Sequence, residues 1–180
     1  MNTRQMAYIA LSAALIAVLA PLSIPLPGQV PVSLATLAVM TAGLLLGARD
    51  AAIAAGIYLV LGILGLPVFA GFTSGAAVLF SLTGGFLFGY VPLAFLSGLA
   101  AGKKVPVMLC GMIAGTVVLY TLGTVWFMYE AGKGIVAALT ACVLPFLPGD
   151  ALKIAAACLL GQRLAPYHAR AAAFTASHAH

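Results

Sequence analysis

The sequence predicts an all-α membrane protein in which six transmembrane helices form one domain over residues 1–180. The 180 residues include only eight Lys or Arg and three Asp or Glu, and 64% are hydrophobic. Since about a quarter of the residues of a soluble domain are charged, this chain has too little polar surface to cover a soluble globule. One span takes about 20 apolar residues, so six spans use about 120 and leave only short loops and tails.

Long stretches without charge place the spans. No charged residue lies between Arg4 and Arg49 or between Asp50 and Lys103, and Pro and Gly clusters divide each stretch into two helices. The expected spans are residues 5–24, 31–47, 51–66, 76–102, 105–128 and 148–164. The apolar segment 134–144 is too short to cross a bilayer, so we expect a short surface or re-entrant segment there.

The basic residues predict the orientation. With the N-terminus inside, six of them lie in the cytoplasm: Arg4, Arg49, Lys103, Lys104, Arg163 and Arg170. Lys133 then lies outside, and the positive-inside rule favours this arrangement over its inverse. Both termini are therefore expected in the cytoplasm, with residues 165–180 as a tail. The formal net charge of +5 reflects this topology and contact with anionic lipid, and it indicates no nucleic-acid partner.

Residues needed for catalysis are missing from the predicted spans. There is no Gly-x-x-x-x-Gly-Lys-Ser/Thr loop for nucleotides, no His-Glu-x-x-His zinc motif and no pair of carboxylates inside a span. Cys110, Cys142 and Cys158 show no metal-ligand spacing, and cysteines in apolar helices usually serve packing. All three histidines lie in the C-terminal tail. We therefore expect neither an enzyme nor a metal or cofactor site.

Asp150 and Lys153 are the charges that need an explanation. Counted back from Arg163 at 1.5 Å per residue, Lys153 lies about 15 Å from the inner boundary, near the middle of a hydrocarbon layer of ~30 Å. A charge there costs about 2.5–3.5 kcal/mol on insertion scales. Residues three apart share a helix face, so the pair can point together into the bundle.

Two interpretations of this pair are open. Asp150 follows Pro148 and Gly149 and could cap the helix that begins there, with Lys153 reaching outward. Alternatively, the pair faces a polar cavity and holds a ligand. The second interpretation is favoured, because Ser, Thr or Asn would cap the helix without burying an ionised pair.

Three other segments supply candidate walls on the outer side. A stiff loop suited to cover a cavity contains Pro25, Pro27, Gly28 and Pro31. A second loop carries the aromatic residues Phe69 and Phe72. At the predicted start of the fourth span, Thr83 and Phe86 flank two glycines, whose exposed backbone is tolerated in a membrane only where it faces protein or a cavity.

Small residues recur at four-residue spacing, which lets helix backbones approach closely. Such Gly pairs occur at 43/47, 85/89, 98/102 and 111/115, and the first helix carries Ala10 and Ala14. A further pair at 71/75 lies in a predicted loop and is discounted. Internal helix packing and a docking face for a second membrane protein both fit these pairs.

Four segments carry a family resemblance, and they occur in the family's order. They are Pro31 to Val39 with Gly43 to Gly47, Gly62 to Gly71, Thr83 to Phe86, and Leu144 to Asp150 with Lys153. In these segments, and from the first helix to about residue 164, the chain resembles BioY, the biotin-binding S component of energy-coupling-factor (ECF) transporters. It departs from the family at Ala35, where Gln is common, and at Leu82, where Pro is common.

The resemblance implies a six-helix S-component bundle that captures biotin from outside with high affinity, in the cytoplasmic membrane of a prokaryote. It also implies a transmembrane coupling protein, contacted through Ala10 and Ala14, and two ATPase subunits that hydrolyse ATP. Biotin is then the transported ligand and not a cofactor. An S component for another vitamin and a non-transporting membrane assembly protein are the alternatives.

For biotin, we expect Asp150 to accept hydrogen bonds from the ureido N–H groups. Lys153 would pair with a negative group, either Asp150 or the ligand carboxylate. The backbone of Gly84 and Gly85 would add directional bonds beside Thr83. The apolar walls are expected from three aromatic residues: Phe69, Phe72 and Phe86.

Overall fold

The computed structural model describes residues 3–24 and 30–177, with side chains as far as residue 163. The helices in this part of the chain are α1 Thr3–Leu19, α2 Ala35–Leu46, α3 Ala48–Ile63, α4 Gly84–Leu99, α5 Val105–Ala131, α6 Ile135–Cys142 and α7 Leu147–Ser177. Two short strands between α1 and α2, β1 Ser23–Ile24 and β2 Val32–Ser33, pair antiparallel with Ser23 opposite Ser33. The 3-10 turns Ala70–Phe72 and Ala76–Phe80 connect α3 to α4.

The helix ends differ from the expected spans where the chain turns. The first helix stops at Leu19 and the second starts at Ala35, because residues 23–24 and 32–33 pair as strands. The fourth helix begins at Gly84 instead of position 76, since a 3-10 turn and the extended Ser81 (φ −90°, ψ 176°) precede it. The short segment expected at 134–144 forms α6, after which the chain bends by 48° into α7. The last helix continues through the expected tail to Ser177.

Helix α2 lies at the centre of the core. Nine of its 12 residues are buried, and it packs against α1, α3, α4 and α7. The hydrophobic core draws buried residues from every helix, among them Ile16, Val39, Tyr58, Leu93, Met112, Ala138 and Ala157. Because α2 touches four other helices, its side chains can take part in a site that also includes α7.

Glycines let α4 and α5 pack antiparallel at close range. A Cβ at Gly85 would overlap the side chain of Trp126, and one at Gly115 would lie 2.7 Å from Cδ1 of Leu93. The residue that comes earlier in α4 meets the residue that comes later in α5, as an antiparallel pair requires. The four-residue glycine spacing in these two helices therefore serves internal packing.

Basic residues gather at one end of the bundle. Gln5 donates to both carboxylate oxygens of Asp50 at 2.9 and 2.8 Å, so α1 and α3 begin together. The start of α3 also packs against Gly98 near the end of α4, and Gly161 of α7 packs against Leu44 near the end of α2. The basic residues that share this end are Arg4, Arg49, Lys103, Lys104 and Arg163. Lys133 follows α5 at the opposite end.

The described helices differ in how well they could span a bilayer. Helix α5 is long and apolar enough by itself, and α6 with Leu147–Arg163 passes the same test as a bent pair. The helices α1, α2 and α4 are apolar but have fewer than 18 residues. Six spans would therefore need the short helices to be extended by the turns that flank them.

The close contact between α3 and α4 gives a stability prediction. A Cβ at Gly98 would lie 2.5 Å from the N and Cα atoms of Ala48, so Gly98→Ala must push the helices apart. We expect the free energy of unfolding to fall by about 1–3 kcal/mol, measured as a lower melting temperature in detergent. Gly56→Ala is the matched control, since no atom lies within 4 Å of its Cβ position. Equal melting temperatures for the two variants would contradict the contact.

Candidate functional site

A cavity of about 400 Å³ opens between the helices at the end opposite the basic residues. Its walls come from the chain before α2, from the start of α2, from the connection between α3 and α4, and from residues of α3, α4, α5 and α7. Ligand pockets usually measure about 300–1,000 Å³. The volume is therefore suited to a small organic molecule.

Asp150 and Lys153 form an ion pair in this cavity. The Lys153 ammonium donates to Oδ1 of Asp150 at 2.8 Å. Two other helices reach the same carboxylate: Thr36 of α2 donates to Oδ1 at 3.3 Å, and the hydroxyl of Tyr120 of α5 donates to Oδ2 at 2.6 Å. Asp150 and Lys153 are only 4% and 8% exposed, so the site is a buried polar cluster that joins α2, α5 and α7.

The hydrogen bonds of Asp150 decide between the two interpretations of this residue. Its own backbone N–H donates to the carbonyl of Phe146 at 2.8 Å, as in a continuing helix. Among the described residues, its carboxylate accepts from three side chains and from no backbone N–H. Asp150 is therefore not a helix cap, and its side chain is directed into the bundle.

Aromatic rings form the sides of the cavity. Tyr58 contacts Phe69 edge to face, with ring centroids 5.7 Å apart at 83°, and lies 6.2 Å from the ring of Tyr90. Phe86 and Phe146 stack at 6.4 Å with an interplanar angle of 20°. All five residues line the cavity, which gives it flat apolar walls that suit a ring system.

A second polar group lies at another level of the cavity. The hydroxyl groups of Ser81 and Thr83 are 3.0 Å apart and line the wall. The Ser81 carbonyl accepts from the indole N–H of Trp126 at 3.0 Å. Trp126 lies six residues after Tyr120 on α5, which corresponds to about 9 Å along the helix axis. The cavity thus offers two separate sets of polar groups together with aromatic walls.

The structure brings six of the expected site residues together in one cavity wall. The expected residues that line the cavity are Asp150, Lys153, Thr83, Phe86, Phe69 and Pro31. Phe72 does not: it lies in the same loop as Phe69 but is 65% exposed. Pro25, Pro27 and Gly28 of the expected covering loop lie outside the described residues.

Gly84 and Gly85 do not line the cavity, and the expectation that their backbone binds the ligand stays a prediction. The N–H of Gly84 donates to the Ser81 carbonyl at 3.0 Å. A Cβ at Gly85 would lie 2.6 Å from the carbonyl oxygen of Leu122 and would overlap Trp126. These glycines allow α4 to approach α5, and they thereby place Thr83 and Phe86 on the cavity side.

The cavity residues that the sequence analysis missed include Thr36, Tyr58, Tyr90 and Tyr120. The tyrosines carried a usable signal, because each falls inside a predicted span and tyrosines in membrane helices concentrate at the interfaces. A buried Tyr hydroxyl needs a hydrogen-bond partner, so three of them within the spans already indicated a polar interior. Thr36 carried no such signal, since threonine is common in apolar helices.

Comparison with known proteins identifies the family. A family model described as the BioY family matches residues 1–170. The chain belongs to the BioY family. A biotin transporter BioY from Rhizobium etli is 38% identical over 176 residues, which cover 90% of this chain and 93% of the relative. A biotin transporter BioY from Thermotoga maritima is 39% identical over 166 residues, covering 89% and 95%.

A solved structure agrees with this BioY assignment. The crystal structure of the S-component for biotin from an ECF-type ABC transporter superposes with a TM-score of 0.82 at 27% identity. The match covers 91% of this chain and 94% of that structure. As a BioY protein, the chain is a membrane transporter subunit and not a catalyst.

The burial of the ion pair gives a second stability prediction. Lys153→Met leaves the Asp150 carboxylate with two donors but no cation, so the ligand-free protein should melt at a lower temperature. The cost should stay below the about 3–5 kcal/mol of a broken buried pair, because Tyr120 and Thr36 still donate. The double variant Asp150→Leu with Lys153→Met should regain part of this loss, since it buries no charge. A double variant less stable than Lys153→Met would contradict this account.

Proposed function

We propose that the chain is the S component of an ECF-type transporter and captures biotin from outside a prokaryotic cell. The observation that carries the proposal is the buried Asp150–Lys153 pair in the wall of a cavity lined by aromatic rings. The fold around it matches a solved S-component for biotin along nine-tenths of the chain. Curated relatives that match at similar coverage carry the name biotin transporter.

The chemistry of biotin suits the two polar levels of the cavity. Biotin has a ureido group at one end, a carboxylate at the other, and an apolar sulfur ring and alkyl chain between them. Tyr120, which donates to Asp150, and Trp126, which donates to the Ser81 carbonyl, are separated by about 9 Å along the axis of α5. The rings of Phe69, Phe86 and the tyrosines line the same cavity. A ligand that is polar at both ends and apolar in the middle can therefore satisfy the whole wall.

The architecture also supports multiple crossings of the cytoplasmic membrane. Six spans arise if α1 to α5 each cross and the bent pair α6–α7 completes the sixth. The end that carries the basic residues is then cytoplasmic, as the positive-inside rule requires, and both termini lie there. The cavity lies towards the opposite end, where it can receive a solute from outside.

Transport through this protein requires partners that supply energy. We infer a coupling protein in the membrane and two ATPase subunits, because the chain has no nucleotide-binding loop of its own. Ala10 and Ala14 are both exposed on α1, on a face that also exposes Leu11 and Val18. A face with small residues at four-residue spacing allows another membrane helix to approach closely.

Biotin binding is testable by titration calorimetry with purified protein in detergent. The wild type should bind biotin, and thiamine and riboflavin should produce no saturable signal. Lys153→Met should weaken biotin binding at least 100-fold, because the ammonium is the cavity's charged donor. Lys133→Met is the matched control, since Lys133 is exposed at the surface and its replacement should leave the affinity unchanged.

Two outcomes would count against the proposed function. Saturable binding of thiamine or riboflavin without binding of biotin would assign the cavity to another vitamin. Equal biotin affinities for Lys153→Met and the wild type would remove the ion pair from the site.

The docking role of α1 is testable separately from ligand capture. Replacing both Ala10 and Ala14 with Leu adds bulk to the exposed face, so it should abolish co-purification with co-expressed coupling and ATPase subunits. Biotin affinity should not change, because neither residue lines the cavity. Ala114→Leu, at an exposed position of α5, is the control and should still assemble. Normal assembly of the Ala10/Ala14 variant would disprove this contact.

A further inference from the structure

The hydrogen bonds around Asp150 assign different tasks to the two members of the ion pair. Oδ1 accepts from Lys153 at 2.8 Å and from Thr36 at 3.3 Å, while Oδ2 accepts from Tyr120 at 2.6 Å. A carboxylate has about four lone-pair sites, so three protein donors occupy most of its capacity. The Asp150 carboxylate therefore has little remaining capacity to accept hydrogen bonds from a ligand.

Lys153 is in the opposite situation. An ammonium has three N–H donors and no acceptor. One of them is directed to Asp150, and no other acceptor within residues 3–24 and 30–163 is hydrogen-bonded to Lys153. Since Lys153 lines the cavity, the unused donors of the cluster belong to the ammonium.

We propose that Tyr120 and Thr36 are positioning residues that hold Asp150 as an internal counter-ion, so that Lys153 donates to an acceptor oxygen of the ligand. This inference rests on the proposed biotin site. It changes the role of Asp150, which the sequence analysis expected to accept hydrogen bonds from the ureido N–H groups. The ligand oxygen is a urea carbonyl or a carboxylate, since both accept from an ammonium.

Physical reasons favour this division of tasks. A buried ammonium without a counter-ion destabilises the fold, because its lost hydration is not compensated. Asp150 supplies this compensation only while its carboxylate is fixed beside Lys153. The Tyr120 hydroxyl is carried on a stiff ring of a long helix and donates to Oδ2, whereas Lys153 donates to Oδ1. It therefore restricts rotation of the carboxylate and keeps Oδ1 facing the ammonium.

The main test compares two Tyr→Phe variants of the same helix. Tyr120→Phe keeps the ring but removes the donor to Asp150, and a hydrogen bond to a charged group is worth about 10- to 100-fold in an equilibrium constant. We expect biotin affinity to fall by about that factor in titration calorimetry. Tyr129→Phe is the control, because Tyr129 lies on α5 but is 82% exposed. The biotin affinity of this variant should equal that of the wild type.

A double-mutant cycle separates positioning from direct contact with the ligand. If Tyr120 acts through Asp150, Tyr120→Phe should cause little further loss of affinity in an Asp150→Asn background. If it contacts biotin itself, the same 10- to 100-fold loss should persist there, which would overturn the proposal. The titrations extend to millimolar biotin so that the weakened variants remain measurable.

Thr36 provides a second, independent pair of variants should Tyr120→Phe fail to fold. Thr36→Ser keeps the donor to Asp150 and should bind biotin like the wild type. Thr36→Val keeps the shape, removes the donor and should bind more weakly, by less than Tyr120→Phe because its hydrogen bond is longer. Equal affinities for the Ser and Val variants would contradict the role of Thr36.

The outcomes distinguish this inference from the proposed function. A wild-type protein that binds no biotin would contradict both the proposed function and this inference. If the wild type binds biotin and the Tyr120→Phe and Tyr129→Phe variants have equal biotin affinities, only the positioning role of Tyr120 is contradicted. The proposed biotin site then stands.

Discussion

An acid and a base buried in an apolar bundle constrain the rest of this structure. Neither Asp150 nor Lys153 can lie in such an interior unless each is compensated, because an ion removed from water loses several kcal/mol of hydration even after relaxation. The pairing at 2.8 Å supplies part of the compensation, and donors from α2 and α5 supply more. Three helices must therefore meet at one level of the bundle, and that meeting point forms part of the cavity wall.

Stability alone gives a poor account of this pair. Apolar side chains of similar volume often fill such a position at no loss of stability. An ion pair that faces a cavity of about 400 Å³ can also bind a ligand, since its hydrogen-bonding groups are accessible from the cavity. The polar cluster therefore supports the proposed ligand site.

Close packing of the surrounding helices gives the cavity its shape. Gly85 and Gly115 bring α4 and α5 together, and the indole of Trp126 then reaches the Ser81 carbonyl at 3.0 Å. Gly62 has a comparable effect on α3, because a Cβ at that position would overlap the ring of Phe69. Glycines therefore leave room for Phe69 and Trp126 at these positions. Phe69 enters the cavity wall and Phe72 does not, although both lie in the same loop.

The sequence by itself determined the class of the protein, the approximate position of most helices and the collection of basic residues at one end. These features follow from composition and from local spacing along the chain, as does the shared helix face of Asp150 and Lys153. Only the tertiary structure decided what meets that pair. Thr36 and Tyr120 are separated from Asp150 by 114 and 30 residues, and no periodicity links positions so far apart. Which helix faces which depends on how side-chain volumes fit across the bundle, and that fit exists only once all the helices have packed.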